Sequence, residues 1–96
     1  MPYTIRVLPT AQQTIADLSV TNAGKHKKVL KTLALLQNDP RHSSLHTHEY
    51  TTLKGPNQEK VFEAYIENKT PSAYRLFFYY GPRKGEIIVI AITPHP

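Results

Sequence analysis

Four side chains in the C-terminal third of this chain could together move protons and hold an oxyanion: Glu63, Tyr65, Arg75 and His95. An imidazole titrates near neutrality, so His95 can give or take a proton. A guanidinium keeps its charge and presents a planar fork of donors, so Arg75 can bind two oxygens of one anion. Glu63 can act as a base, or it can pair with Arg75 and orient it. Three further histidines, His42, His46 and His48, are closely spaced and invite a metal reading with His95 as a fourth ligand. With no cysteine and only Glu49 as a nearby acid, that spacing is weak. Polar loop residues are the preferred reading, and neither a metal nor a cofactor is expected.

Strand parity is what would bring the four groups together. Three strand-like runs are predicted at Val61–Glu67, Ala73–Tyr80 and Glu86–Thr93, joined by connectors short enough for hairpins. Side chains alternate between the faces of a strand. The even positions are the more apolar: Phe62, Ala64 and Ile66, then Tyr74, Leu76, Phe78 and Tyr80, then Ile88, Ile90 and Ile92. They are assigned to the helix-packed face. Glu63, Tyr65, Arg75 and His95 then share the opposite face, provided the register is kept. Arg6 joins them if Ile5 and Val7 of the first strand face the core.

The rest of the chain supplies the packing. Tyr3–Leu8 reads as a first strand, stopped by Pro9-Thr10, with Thr10 as a helix N-cap and Ala11–Leu18 as a short helix. Thr21–Gly24 is a break. A second helix, Lys25–Gln37, carries Val29, Leu33 and Leu36 at helical spacing and crowds Lys25, Lys27, Lys28 and Lys31 into its first turns. Cations there oppose the helix macrodipole, so they call for another purpose: a solvated face, or a surface for RNA or an acidic partner. Asn38-Asp39-Pro40 ends this helix, and Arg41–Lys60 reads as a long polar loop. The expected architecture is one α+β domain over residues 1–96, in the order β-α-α-β-β-β. Both helices lie on one face of a mostly antiparallel four-stranded sheet.

Composition narrows the partners. Twelve Lys and Arg against seven Asp and Glu give a formal charge of +5, which favours a polyanion, an anionic surface or an acidic protein. The chain has no cysteine, hence no disulfide framework. The N-terminal residues do not read as a signal peptide, and no apolar run is long enough to span a bilayer, so a cytoplasmic location without membrane contact is expected.

The ordered set of features resembles the RelE/ParE toxin superfamily. It comprises the opening strand, the lysine-rich helix ending Leu35-Leu36-Gln37-Asn38-Asp39-Pro40, the loop Arg41–Leu45 leading to Leu53-Lys54-Gly55, the run Ala73-Tyr74-Arg75-Leu76-Phe77-Phe78, and a hydrophobic last strand that leads to His95. The resemblance implies a toxin of a type II toxin–antitoxin system, held by a cognate antitoxin. RelE-like members cleave mRNA at the ribosome, whereas ParE-like members act on DNA gyrase. By that resemblance Arg75 and His95 would be catalytic, and Lys54 and Lys60 would bind phosphate. The nucleases often place an aromatic residue after the histidine, where this chain has Pro96. Metal-free cleavage by the 2′-hydroxyl needs a base, an acid and positive charge at phosphorus. His95, Glu63 and Arg75 are the expected catalytic groups, with Lys54, Lys60, Arg6 and a base-stacking Tyr65 as RNA contacts. The alternatives are a non-catalytic gyrase inhibitor and a decayed toxin or RNA-binding module.

Overall fold

The structure is a computed structural model that describes residues 2–95. Its elements are β1 (Thr4–Val7), α1 (Pro9–Thr21), α2 (Ala23–Asn38), a 3-10 turn (Ser43–Leu45), β2 (His48–Lys54), β3 (Lys60–Tyr65), β4 (Tyr74–Tyr80) and β5 (Glu86–Pro94). The strands form one sheet in the order β1-β5-β4-β3-β2. All neighbours are antiparallel except β1 and β5, which run parallel. The expected α+β architecture holds, but the sheet has five strands rather than four.

The additional strand, β2, lies in what reads as loop. Its sequence His-Glu-Tyr-Thr-Thr-Leu-Lys is polar on both faces and mostly exposed, because it forms an edge and pairs only with β3. Hydrophobic alternation cannot reveal such a strand, and its register shift between Glu49 and Lys54 blurs the pattern further. The 3-10 turn before it is anchored by the buried Leu45.

The helices begin earlier than expected. Pro9 opens α1 instead of stopping β1, since a helix's first N–H needs no partner and proline's fixed φ suits that position. The expected Thr10 cap is therefore inside the helix. The break at Thr21–Gly24 contracts to Asn22, whose Oδ1 accepts the Lys25 backbone N–H at 3.1 Å and caps α2. Asn22→Ala should lower stability by about 1 kcal/mol in urea unfolding, while Asn22→Asp should retain most of it.

Both helices cover one face of the sheet. Ala11 and Leu18 of α1, Val29 and Leu36 of α2, and Leu45 pack on Ala64, Leu76, Phe78, Ile87, Val89 and Ile92. Each large aliphatic or aromatic side chain buried this way contributes about 1.5–3 kcal/mol. The even positions of β3 and β4 face the helices as expected. In β5 the parity fails. Phe77 pairs with Ala91 but Phe78 pairs with Val89, so Ile90 is an extra residue in a bulge. Ile87 and Val89 therefore enter the helix-side core, and Ile88 and Ile90 turn to the other face, contrary to the expectation for both. Beyond the bulge the expected parity is restored, with Arg75 opposite Thr93 and Ile92 in the core. That face is not bare: Val61, Phe77, Tyr79 and Ile88 form a second apolar cluster beneath Tyr50, whose ring centroid is 4.9 Å from that of Phe77.

Candidate active site

Glu63 is the hub of a polar cluster beside that second apolar patch. It sits in β3 opposite Phe77 of β4 and His48 of β2, and its side chain is only 3% exposed. A carboxylate so placed needs partners. His48 Nε2 lies 2.7 Å from Oε1, and His95 Nδ1 lies 3.2 Å from Oε2. Arg75 Nε stands 3.7 Å from the same Oε2, too far for a hydrogen bond, and has no hydrogen-bond partner among the described residues. His95 reaches the site because β5 continues past Thr93, with its backbone N–H donating to the Ala73 carbonyl at 2.7 Å.

Arg75 is itself buried, with 6% exposure. Its guanidinium carbon lies 3.7 Å from the centroid of the Tyr65 ring, a close cation–π contact. Nη1 donates to the Glu67 carbonyl oxygen and, at 3.4 Å, to that of Tyr74. The His46 ring centroid lies 4.9 Å from that of Tyr65. Tyr65 is thus flanked by a guanidinium and an imidazole, and a base stacking on the face that Arg75 covers would have to displace it.

The site is braced from the helix layer. Glu67 accepts Lys25 Nζ at 2.8 Å, Lys28 Nζ at 3.1 Å and the Tyr74 backbone N–H at 3.1 Å, while its own carbonyl holds Arg75. Two of the lysines crowding the start of α2 therefore clamp the β3–β4 hairpin. Burial pushes the Glu67 carboxyl upward, but the Lys25, Tyr74 and Lys28 donors outweigh it and bring the group from 4.5 down to about 2. Because the folded value is depressed, this stabilisation is complete above pH 4.5 and fades as the pH falls toward 2. Glu67→Gln should cost about 2 kcal/mol at pH 7 and flatten that acid limb in unfolding measured from pH 7 to 2.

Of the residues singled out from the sequence, the structure brings together Glu63, Tyr65, Arg75 and His95. Lys54 and Lys60 face each other in the register at the far end of the β2–β3 hairpin, and Lys54 Nζ lies 3.5 Å from Glu49. Lys60 lies three positions before Glu63, roughly 10 Å along a strand. Arg6 is exposed and pairs with Ile88, at the end of β5 away from His95. None of the three joins the cluster. His42 is also elsewhere: its Nδ1 accepts the Ser44 backbone N–H and caps the 3-10 turn. Among the described residues no group of three His, Cys, Asp or Glu side chains is arranged to hold a metal ion. Pro96, which follows the histidine, lies outside the described residues.

Sequence reasoning left His48 among the loop histidines. Periodicity offered no signal for it, because β2 begins only at His48 and His46 is in the left-handed conformation.

The architecture is that of the RelE/ParE toxins. No family model and no curated protein sequence matches the chain. Solved structures do. A YoeB/ParE toxin from Agrobacterium tumefaciens aligns with a TM-score of 0.73 at 13% identity, over 97% of this chain and 99% of that one. A chain of the archaeal RelE–RelB complex from Pyrococcus horikoshii aligns at 0.66 and 16% identity, over 98% of this chain and 96% of that one. The heterotetrameric YoeB–YefM toxin–antitoxin complex from Staphylococcus aureus contains a chain aligning at 0.62 and 14%, over the full length of both. At these identities the likeness is one of fold.

Proposed function

We propose that this protein is the toxin of a type II toxin–antitoxin pair and cleaves mRNA at the ribosome without a metal, by attack of the 2′-hydroxyl. The observation that carries the reading is the Glu63–His95 pair. Nδ1 of His95 faces a buried carboxylate at 3.2 Å, and the side chain is 52% exposed. A carboxylate can only accept, so Nδ1 carries the hydrogen and the neutral ring offers its Nε2 lone pair.

In the proposed reaction Nε2 takes the 2′-hydroxyl proton as that oxygen bonds to phosphorus. The bond from phosphorus to the 5′-oxygen breaks, giving a 2′,3′-cyclic phosphate, and the leaving oxygen takes a proton from water. Glu63 orients His95 and stabilises the imidazolium as it forms. It serves His95 rather than the substrate, since both its oxygens face partners and it is almost wholly buried. Arg75 adds positive charge close by, where negative charge grows on the phosphoryl oxygens. Lys54, Lys60 and Arg6, outside the cluster, are read as contacts for more distant phosphates, consistent with the charge of +5. The partnership with an antitoxin rests on the fold shared with the toxins of the RelE–RelB and YoeB–YefM complexes.

The test is incubation of the purified chain with ribosomes carrying a defined mRNA, followed by mapping of the cut ends. Cyclic phosphate on one fragment and a 5′-hydroxyl on the other are expected. Intact mRNA together with gyrase-linked DNA breaks on induction would replace this reading with a ParE-like inhibitor. Salt-sensitive RNA binding without cuts would leave a binding module.

A further inference from the structure

We infer that His48 is a positioning residue that fixes Glu63 and, through it, the tautomer of His95. The inference rests on the nuclease reading only for its kinetic consequence; the positioning itself follows from hydrogen-bond accounting.

Nδ1 of His48 lies 2.8 Å from the backbone carbonyl oxygen of His46. A carbonyl oxygen only accepts, so Nδ1 carries a hydrogen. Nε2 is then left facing Glu63 Oε1 at 2.7 Å, a contact that requires one proton between nitrogen and oxygen whichever atom holds it. Both nitrogens of His48 are thereby used within the protein. Although the side chain is 49% exposed, it keeps no ring nitrogen free to exchange a proton with substrate. His95 differs, because its Nδ1 is the ring nitrogen that meets Glu63. The two imidazoles flank one carboxylate, one at each oxygen, with distinct tasks: His48 engages Oε1, so that Oε2 remains directed at His95 Nδ1.

The backbone is shaped for this. His46 adopts a left-handed conformation with φ 49°, uncommon for a residue with a side chain. Thr47 alone separates that residue from β2, at whose first residue the His46 carbonyl meets His48 Nδ1. His48 is then opposite Glu63 in the β2–β3 register. The other charged or titratable groups around the pair are Arg75 on β4, His95 after β5, and Tyr65 on β3, whose ring centroid lies 6.1 Å from that of His48.

His48→Ala and His48→Gln test the idea in the full chain. His48 is half-exposed on an edge strand, and an unchanged amide spectrum would confirm that each variant is folded. Nitrogen-15 spectra of the imidazole rings should show wild-type His95 with hydrogen on Nδ1 and His48 with hydrogen on Nδ1. In His48→Ala the His95 ring should shift toward the Nε2–H form. In His48→Gln, where an amide donor can still reach Oε1, it should return toward wild type. The turnover rate for mRNA should fall about ten- to a hundredfold in the alanine variant with KM held, as expected for losing one hydrogen bond to a charged group. Glutamine should recover much of it. A His95 tautomer unchanged in a folded His48→Ala protein would overturn the inference. If the wild type cuts no RNA, the nuclease reading fails, and the ring spectra still decide the role of His48.

Discussion

His95→Ala should lower the rate of ribosome-dependent mRNA cleavage by about a hundred- to ten-thousandfold, the range for removing a positioned proton-transfer group. The same change should cost little stability. His95 is half-exposed and follows the end of β5, so its removal lets water reach Glu63 Oε2, and losing that one hydrogen bond costs about 1 kcal/mol. That separation is what makes the measurement decisive. Single-turnover cleavage of ribosome-bound mRNA, read beside urea unfolding of the same protein, should show a large kinetic loss with only a small shift of the midpoint. A cleavage rate within threefold of wild type would remove His95 from the chemistry. Loss of rate and stability together would make it a structural residue instead.

Glu63→Ala should act on stability as well as on rate. The carboxylate is 3% exposed and faces Arg75, whose side chain is 8% exposed, together with two histidines. Removing one member of a buried ionic cluster leaves the other charge without compensation, which costs about 3–5 kcal/mol. Arg75 is poorly placed to find another partner, because its Nε already lacks a hydrogen bond. Against a total of about 5–15 kcal/mol for an ordinary domain, that loss is large. Glu63→Gln, which keeps an oxygen acceptor and the side-chain volume, should cost distinctly less. Urea unfolding of Glu63→Ala, Arg75→Met and the double variant would show whether the cost is shared. A double variant as stable as either single one is expected. A loss below about 1 kcal/mol in Glu63→Ala would contradict the burial argument.

The fold was legible wherever apolar residues repeat with a period. The stripe of Val29, Leu33 and Leu36 located α2, and the even positions of β3 and β4 located the helix-packed face. β2 was hidden because an edge strand can be polar on both sides, and its partner supplies the hydrogen bonds regardless of side chain. The bulge at Ile90 was hidden for a different reason. With Ile87, Ile88, Val89 and Ile90 consecutive in the sequence, either parity gives an apolar face, and only the pairing with β4 decides. The site followed the same rule. Glu63, Tyr65, Arg75 and His95 could be grouped because their strands were recognised and the register beyond the bulge is direct. His48 could not be grouped with them, since its strand was unseen. Lys54 and Lys60 were drawn in by the resemblance and Arg6 by the parity of the first strand, and neither fixes how far along the sheet a residue lies from Glu63.

The parallel pairing of β1 with β5 bears on when the molecule becomes complete during its own synthesis. β1 is translated before the other elements of the sheet and its partner β5 after them, so the first strand waits unpaired while the elements between are made. Long-range pairings of this kind form late, because the intervening chain must be ordered first. His95 belongs to the same late segment, so Glu63 meets it only when the final strand docks. A nascent chain therefore carries the carboxylate, the guanidinium and His48 without His95, and the cluster closes only after the strand that delivers His95 has left the ribosome.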